Sequence, residues 1–397
     1  MDPSKFSKAV QPLDSTILDL PPSCIEFIPG FPDFFVVGTY NLQKEVDTGS
    51  LHQSRTGSLN LLPSKQDLTS LRTLVQTISH PSAILDLHFL TTRTEFGVVS
   101  STGTISIYKF QAENHSITHL TTHQAFDSAI LVLSFTWHPF ASLQSRPVLA
   151  ATLSNGSLHL LRFSTDLKDL ETMNDSDPLN THDLEAWTCA FVQIPESESG
   201  LRIYSGGDDG VLRLTELESL PLNSESEIPV LHKFKCHEAG VTAILPISYS
   251  KNPDHNGALN DLLLTGSYDD HVRVYNAKNP RGKVLAELKI GGGVWRLKLL
   301  DPLSPGKLND SDGVRFRVLA SCMHAGARIL EVTRAGRDGE WKIEILGSVT
   351  VHESMCYGSD VQPVGDDSGD QDERRICVST SFYDRLVCLW RFDPNAV

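Results

Sequence analysis

Apolar residues in this chain come in short alternating runs, broken every few positions by Gly, Asp, Asn or Ser. One unit recurs: an apolar strand, a small-residue turn, then a second apolar strand. It spans 100–108, 152–160, 205–214, 266–275, 321–330 and 380–390, with a weaker copy made of 34–40 and 57–62 around a polar insertion. The turn positions 57, 103, 156, 210, 271, 326 and 385 lie 46 to 61 residues apart. That exceeds the about 40–45 residues of a compact four-stranded propeller blade. The excess falls in polar insertions near 41–56, 164–183, 252–260 and 365–374. A further apolar strand precedes each pair, at 84–89, 130–137, 186–192, 241–247, 294–300 and 357–361. Period-two patterning with turn signals predicts an all-β chain, and seven copies predict a seven-bladed β-propeller. It is expected to form one unit over residues 1–397, with 1–13 flexible. The chain runs out after the third strand of the last blade, at 390–392. The apolar segment 16–20 is therefore expected to return as its fourth strand and close the ring.

Composition narrows the function classes. Of 397 residues 40% are hydrophobic, enough for a large core. Lys+Arg number 34 and Asp+Glu 49, a net charge of −15, which argues against binding the phosphate backbone of a nucleic acid. The first ten residues are polar and carry no signal-peptide run, and the densest apolar stretch, 129–135, is far shorter than the roughly 20 residues of a membrane helix. No membrane association is expected. The seven cysteines, at 24, 189, 236, 322, 356, 377 and 388, are scattered singly, which fits a reduced, cytoplasmic compartment. A monomer without metal or cofactor is expected. His115, His119 and His123 have helical metal-ligand spacing in a β-branched, strand-like setting that offers no helix. Asp47-Thr-Gly and Asp367-Ser-Gly mimic aspartic protease loops but lie in polar insertions. There is no G-x-S-x-G elbow, so any ester chemistry is not that of an α/β-hydrolase.

The units are similar to degenerate WD repeats. Trp390 holds that family's Trp position, Tyr108 and Tyr275 substitute for it, and Leu161, Leu214 and Leu330 depart from it. Asp209, Asp270 and Asp384 read as turn aspartates that hold their own turns, whereas Asp208 and Asp269 read as free to face a ligand. In such a blade the turn between second and third strands shares an end with the loop leading into the first strand. One rim therefore gathers Asp208, Tyr268, Asp269, His271, His324, Tyr383 and Asp384 from turns, and His182, Asp183, Glu185, Trp187, His237, Trp295, Arg296, His352 and Tyr357 from loops. Acids beside aromatic faces suit a quaternary ammonium, at roughly 0.5–2 kcal/mol per contact. Neutral histidines there can serve as general bases.

The strings His182-Asp-Leu-Glu-Ala-Trp187, Tyr204-Ser-Gly-Gly-Asp-Asp-Gly210, Thr265-Gly-Ser-Tyr-Asp-Asp-His271, Gly292-Gly-Val-Trp-Arg296, Cys322-Met-His-Ala-Gly326, Tyr357-Gly-Ser-Asp360 and Ser381-Phe-Tyr-Asp384 resemble the diphthine methylesterase family, WD-repeat proteins of diphthamide biosynthesis. They stand in the family's order over about 181–392; before that the match is loose, mainly Gly38-Thr39-Tyr40. The resemblance implies hydrolysis of the methyl ester of methylated diphthine on translation elongation factor 2, giving methanol and diphthine. The substrate side chain then carries a trimethylammonium group. Within that reaction the expected base is His324, oriented by Asp269 or Asp384, with Cys322 or Ser381 as the variant nucleophile. Trp295, Tyr268 and Tyr383 are expected to cage the ammonium and Arg296 to meet the oxyanion. Trp187, His271, Asp208, Tyr357 and His352 complete the expected substrate face. The alternative from another class is a non-catalytic scaffold that docks partners on the same rim.

Overall fold

The computed structural model describes residues 8–47, 50–64, 74–91, 93–139, 146–173, 177–192, 201–217, 230–247, 262–277, 282–300, 313–336, 339–363 and 374–396. Seven antiparallel sheets follow one another around a ring. Blade 1 is built from Pro22–Ile28, Phe31–Thr39, Ser50–Pro63 and Gln76–His80, and blade 2 from Ile84–Phe89, Glu95–Ser100, Thr104–Gln111 and Ser116–Gln124. Blade 3 uses Val132–Trp137, Val148–Leu153, Ser157–Phe163 and an outer edge shared by Leu170–Thr172 and Asn180–Thr181. Blade 4 has Ala186–Val192, Leu201–Gly207, Val211–Leu217 and Val230–Lys235; blade 5 has Val241–Pro246, Leu262–Ser267, His271–Asn276 and Lys283–Lys289. Blade 6 comprises Arg296–Leu299, Val314–Ser321, Ala327–Arg334 and Trp341–Val349. Blade 7 comprises Ser359–Val361, Arg375–Ser381 and Leu386–Phe392.

The fourth strand of blade 7 is Pro12–Ile17, antiparallel to Leu386–Phe392, so the N-terminus closes the ring as the alternation predicted. The closing strand starts earlier than 16–20. Lys8–Ala9 adds in parallel to Trp341–Val349 of blade 6, so 8–13 is held by strand pairing where flexibility was expected. The insertion near 41–56 is a β-hairpin, Asn41–Asp47 against the start of Ser50–Pro63. The insertions at 252–260 and 365–374 lie almost wholly outside the described residues.

Inner strands such as Val148–Leu153 and Leu262–Ser267 are buried at every position, so the ring covers both faces of these sheets. Among the described residues seven apolar clusters form, each straddling one pair of neighbouring blades: Leu264 with Val318, Val36 with Val98, Ile107 with Leu149, Tyr204 with Leu263, Val37 with Val378, Leu160 with Ile203, and Ile329 with Trp390. Close approach is repeated at one position. A Cβ on Gly206 would lie 2.7 Å from the Val241 side chain, and one on Gly266 2.4 Å from Val294. Glycine in the second strand thus admits the first β-branched residue of the next blade. First strands line the central channel. Among the described residues no helix is long and apolar enough to cross a membrane.

Candidate functional site: an aromatic rim over a charged channel

Three loop histidines turn out to brace the rim. His182 meets Asp209 through Nδ1 at 3.0 Å and Ser205 Oγ through Nε2 at 2.9 Å, and Arg213 donates to the same carboxylate at 2.9 Å. Blade 5 repeats this with His237, Asp269, Thr265 and Arg273: Nδ1 to Asp269 3.0 Å, Nε2 to Thr265 2.9 Å, Arg273 to Asp269 2.7 Å. In blade 7 His352 meets Ser379 Oγ at 2.9 Å, and Trp390 Nε1 donates to that oxygen at 3.0 Å. Burial holds all three imidazoles below their ordinary value, that is, neutral. Burial works to raise the Asp209 carboxyl, but His182 and Arg213 bring it down to about 2.

The blade 5 turn is shifted by one residue from the sequence expectation. The left-handed position held by Gly210 in blade 4 is Asp270, with φ 64°, not His271. Asp269 therefore matches Asp209 and is spent bracing its blade, while Tyr268 matches Asp208 and faces the rim. His271 is half-buried, its Nδ1 2.6 Å from the Asp269 carbonyl. Asp384 is likewise engaged, with Ser381, with Ser354 Oγ at 2.8 Å and with the Glu353 amide at 3.2 Å. Neither Asp269 nor Asp384 bonds to His324, so the expected orienting contact is not formed.

Over the channel mouth the aromatic rings form a continuous belt. Trp187 is the extra residue of a bulge between Ala186 and Thr188, which turns its ring out of the strand. It lies 5.5 Å from Trp295 and 6.2 Å from Tyr268, and Tyr268 lies 6.0 Å from Trp295. Tyr357 follows at 5.0 Å from Trp295, then Phe382 at 5.4 Å from Tyr357. Tyr383 and Tyr40 flank Phe382 at 5.0 and 6.2 Å. Acids adjoin this belt: Trp187 Nε1 donates to Asp208 at 3.2 Å. Burial raises the Tyr268 hydroxyl, and the nearby Tyr357, Asp208 and Glu185 add to it while Arg296 opposes them. The two blade 6 motifs are parts of one contact. A Cβ on Gly292 would lie 2.3 Å from the Cys322 carbonyl, and one on Gly293 2.7 Å from Met323 Sδ. Met323 in turn bridges to Cys356. The turn that carries His324 is thus wedged between the loops that carry Trp295 and Tyr357, with His324 at its exposed tip.

Beneath the belt the channel is charged. Arg296 sits with Cζ 5.4 Å from the Trp295 ring centre and Nη2 3.1 Å from Asp86 Oδ2. Ser134 donates to Asp86 at 2.7 Å, and His88 Nε2 lies 3.4 Å from it. His88 Nδ1 reaches Glu26 at 2.7 Å, and Lys298 meets Asp360 at 3.0 Å and Glu26 at 3.9 Å. Burial opposes charge on His88, but Asp86 and Glu26 overcome it and raise the imidazole to about 9. At the far end the channel opens into a pocket of about 530 Å³ lined by Glu26, Lys298 and Asp360. Among the described residues no three His, Cys, Asp or Glu side chains are grouped to hold a metal.

Trp187, Asp208, Tyr268, Trp295, Arg296 and Tyr357 are thus brought together, with His324 and Tyr383 on the same rim. Tyr383 is 70% exposed. Cys322 is fully buried, and burial pushes its thiol far above its ordinary value. His352 is in the blade 7 brace. Phe382, Tyr40, Asp86 and His88 were not among the expected site residues. Charged residues in first strands, where apolar ones would pack, are the signal that marks the last two.

No protein-family model matches the chain. It is 30% identical over 363 residues to a mouse protein named diphthine methyltransferase, covering 88% of this chain and 69% of that one. A fission yeast protein of the same name, from Schizosaccharomyces pombe, is 28% identical over 382 residues, covering 96% and 97%. The human one is 28% identical over 377 residues, covering 89% and 74%. Among solved structures, Sqt1 of Saccharomyces cerevisiae superposes with a TM-score of 0.57 at 12% identity, covering 97% of this chain and 99% of that one. A chain of the mitotic checkpoint complex gives 0.56 at 15%, covering 97% and 95%. These two share the propeller fold. The sequence relatives, matched along nearly the whole ring, carry more: the chain belongs to the diphthine methylesterase family, whose members named here are called diphthine methyltransferases.

Proposed function

We propose that this chain acts in diphthamide biosynthesis as a diphthine methylesterase, in the cytoplasm, on elongation factor 2 carrying methylated diphthine. The supporting observation is the belt of Trp187, Tyr268, Trp295 and Tyr357 beside Asp208. Packed aromatic faces with a carboxylate alongside attract a trimethylammonium group. Arg296, below Trp295, is the donor for the ester oxygen. Water adds to the ester carbonyl carbon, the bond to the methoxy oxygen breaks, and methanol leaves with a proton. His324 takes that proton from water and returns it to the methoxy oxygen. Asp269 and Asp384 serve this site by bracing its blades, and buried Cys322 by packing.

The purified chain is incubated with methylated elongation factor 2 and the modified peptide is followed by mass. Loss of one methylene unit supports the reading; unchanged mass with tight binding supports the scaffold alternative. His324→Ala is expected to abolish turnover while leaving the melting temperature and quaternary-ammonium binding intact. Full activity in that variant removes His324 from the mechanism.

A further inference from the structure

Arg296 reaches the channel mouth on a flexible side chain, yet its environment leaves it little freedom. Its Nη1 donates to the Trp295 carbonyl at 3.2 Å and its Nη2 to Asp86 at 3.1 Å. Asp86 comes from the first strand of blade 2, across the channel from blade 6. Its side chain is 3% exposed, and Ser134, from the first strand of blade 3, donates to the same Oδ2. His88, two residues along, is clamped between Asp86 and Glu26. A lone buried carboxylate would be costly, but here each charge meets an opposite one. A guanidinium has five N–H groups in a fixed plane, and the two contacts above leave others to donate to a ligand.

We propose that Asp86, backed by Ser134 and His88, is a positioning residue that aims Arg296 at the carboxyl oxygens of a ligand whose quaternary ammonium lies in the aromatic belt. This deepens the esterase reading for turnover, but its binding half stands without it. The site then reads two groups of fixed separation, a cation above and a carboxyl oxygen below. Aim matters because an oxyanion donor misplaced by about 1 Å loses on the order of a hundredfold in rate.

The binding arm uses tryptophan fluorescence with two probes, tetramethylammonium and trimethylglycine, which adds a carboxylate. Wild-type protein is expected to bind trimethylglycine at least several-fold more tightly. Asp86→Asn should erase that preference and leave tetramethylammonium affinity unchanged, while Asp86→Glu, which keeps the charge, should recover part of it. Ser134→Ala, which touches Arg296 only through Asp86, should give an intermediate loss. In the turnover arm, with methylated elongation factor 2, Asp86→Asn should lower kcat on the order of a hundredfold with little change in KM. An undiminished or tighter trimethylglycine preference in Asp86→Asn or, should that variant not fold, in Ser134→Ala overturns the proposal. Equal binding of the two probes by wild type also overturns it. Absent turnover with an intact, Asp86-dependent trimethylglycine preference sinks the esterase reading and leaves the positioning role standing.

Discussion

At the residue scale, the division of labour on the rim follows from what each side chain has left to offer. A carboxylate that already accepts from His, Arg and backbone N–H, as Asp269 does, has no lone pair to spend on a base. Asp208, bonded here to one indole N–H, has acceptor positions left for a ligand. The rings are unequal in the same sense. Trp295 contacts Trp187, Tyr268 and Tyr357, whereas Tyr383 stands 70% exposed at the end of the belt. Trp295→Ala is expected to weaken tetramethylammonium binding roughly 2- to 30-fold, as about 0.5–2 kcal/mol per cation–π contact implies, and Tyr383→Ala by less than twofold. Fluorescence titration reads both. Equal losses would mean that the exposed end of the belt takes the cation.

At the element scale, the blade is held by two repeated devices. One is the glycine that receives the next blade's first residue. Gly266→Ala sets a methyl 2.4 Å from the Val294 side chain and is expected to cost about 1–3 kcal/mol, read as a lower denaturant midpoint with an unchanged slope. The other is the His–Asp–hydroxyl brace, and its pH dependence has a definite sign. His182 and His237 are held below their ordinary 6.5, so the folded state resists their protonation and stability falls as pH drops below about 6.5. Asp209, lowered from 3.8 to about 2, adds a further loss as pH falls toward 2. Asp209→Asn should reduce stability at neutral pH and flatten the lowest part of this acid limb in a melting series.

At the scale of the whole molecule, stability rests on closure, because every apolar cluster belongs to two blades. Deleting residues 1–17 removes the strand paired with Leu386–Phe392 and bares that edge. The truncated chain is expected to melt at a lower temperature and to self-associate, which calorimetry and light scattering would detect. Across the channel, the charge ladder joins first strands of blades 1, 2, 6 and 7. His88, raised to about 9, contributes fully below pH 6.5, and its contribution is lost as pH rises through about 9. His88→Gln should therefore be less stable than wild type at pH 6 and close that gap by pH 10.

The repeat, the number of blades and the returning N-terminal strand were legible in the chain, because alternation and turn residues are local and recur seven times. So was the company of Asp208, Tyr268, Trp295 and Tyr357, since shared repeat positions imply a shared rim. The one-residue shift that spends Asp269 was not legible: Asp270 takes a left-handed conformation without the glycine that marks it in blades 2, 3, 4 and 6. Nor was the pairing of Asp86 with Arg296, which are 210 residues apart. Periodicity along a strand says which side chains share a face. Only the closed ring decides which strands look at one another across the channel, and so which buried charges can be neutralised.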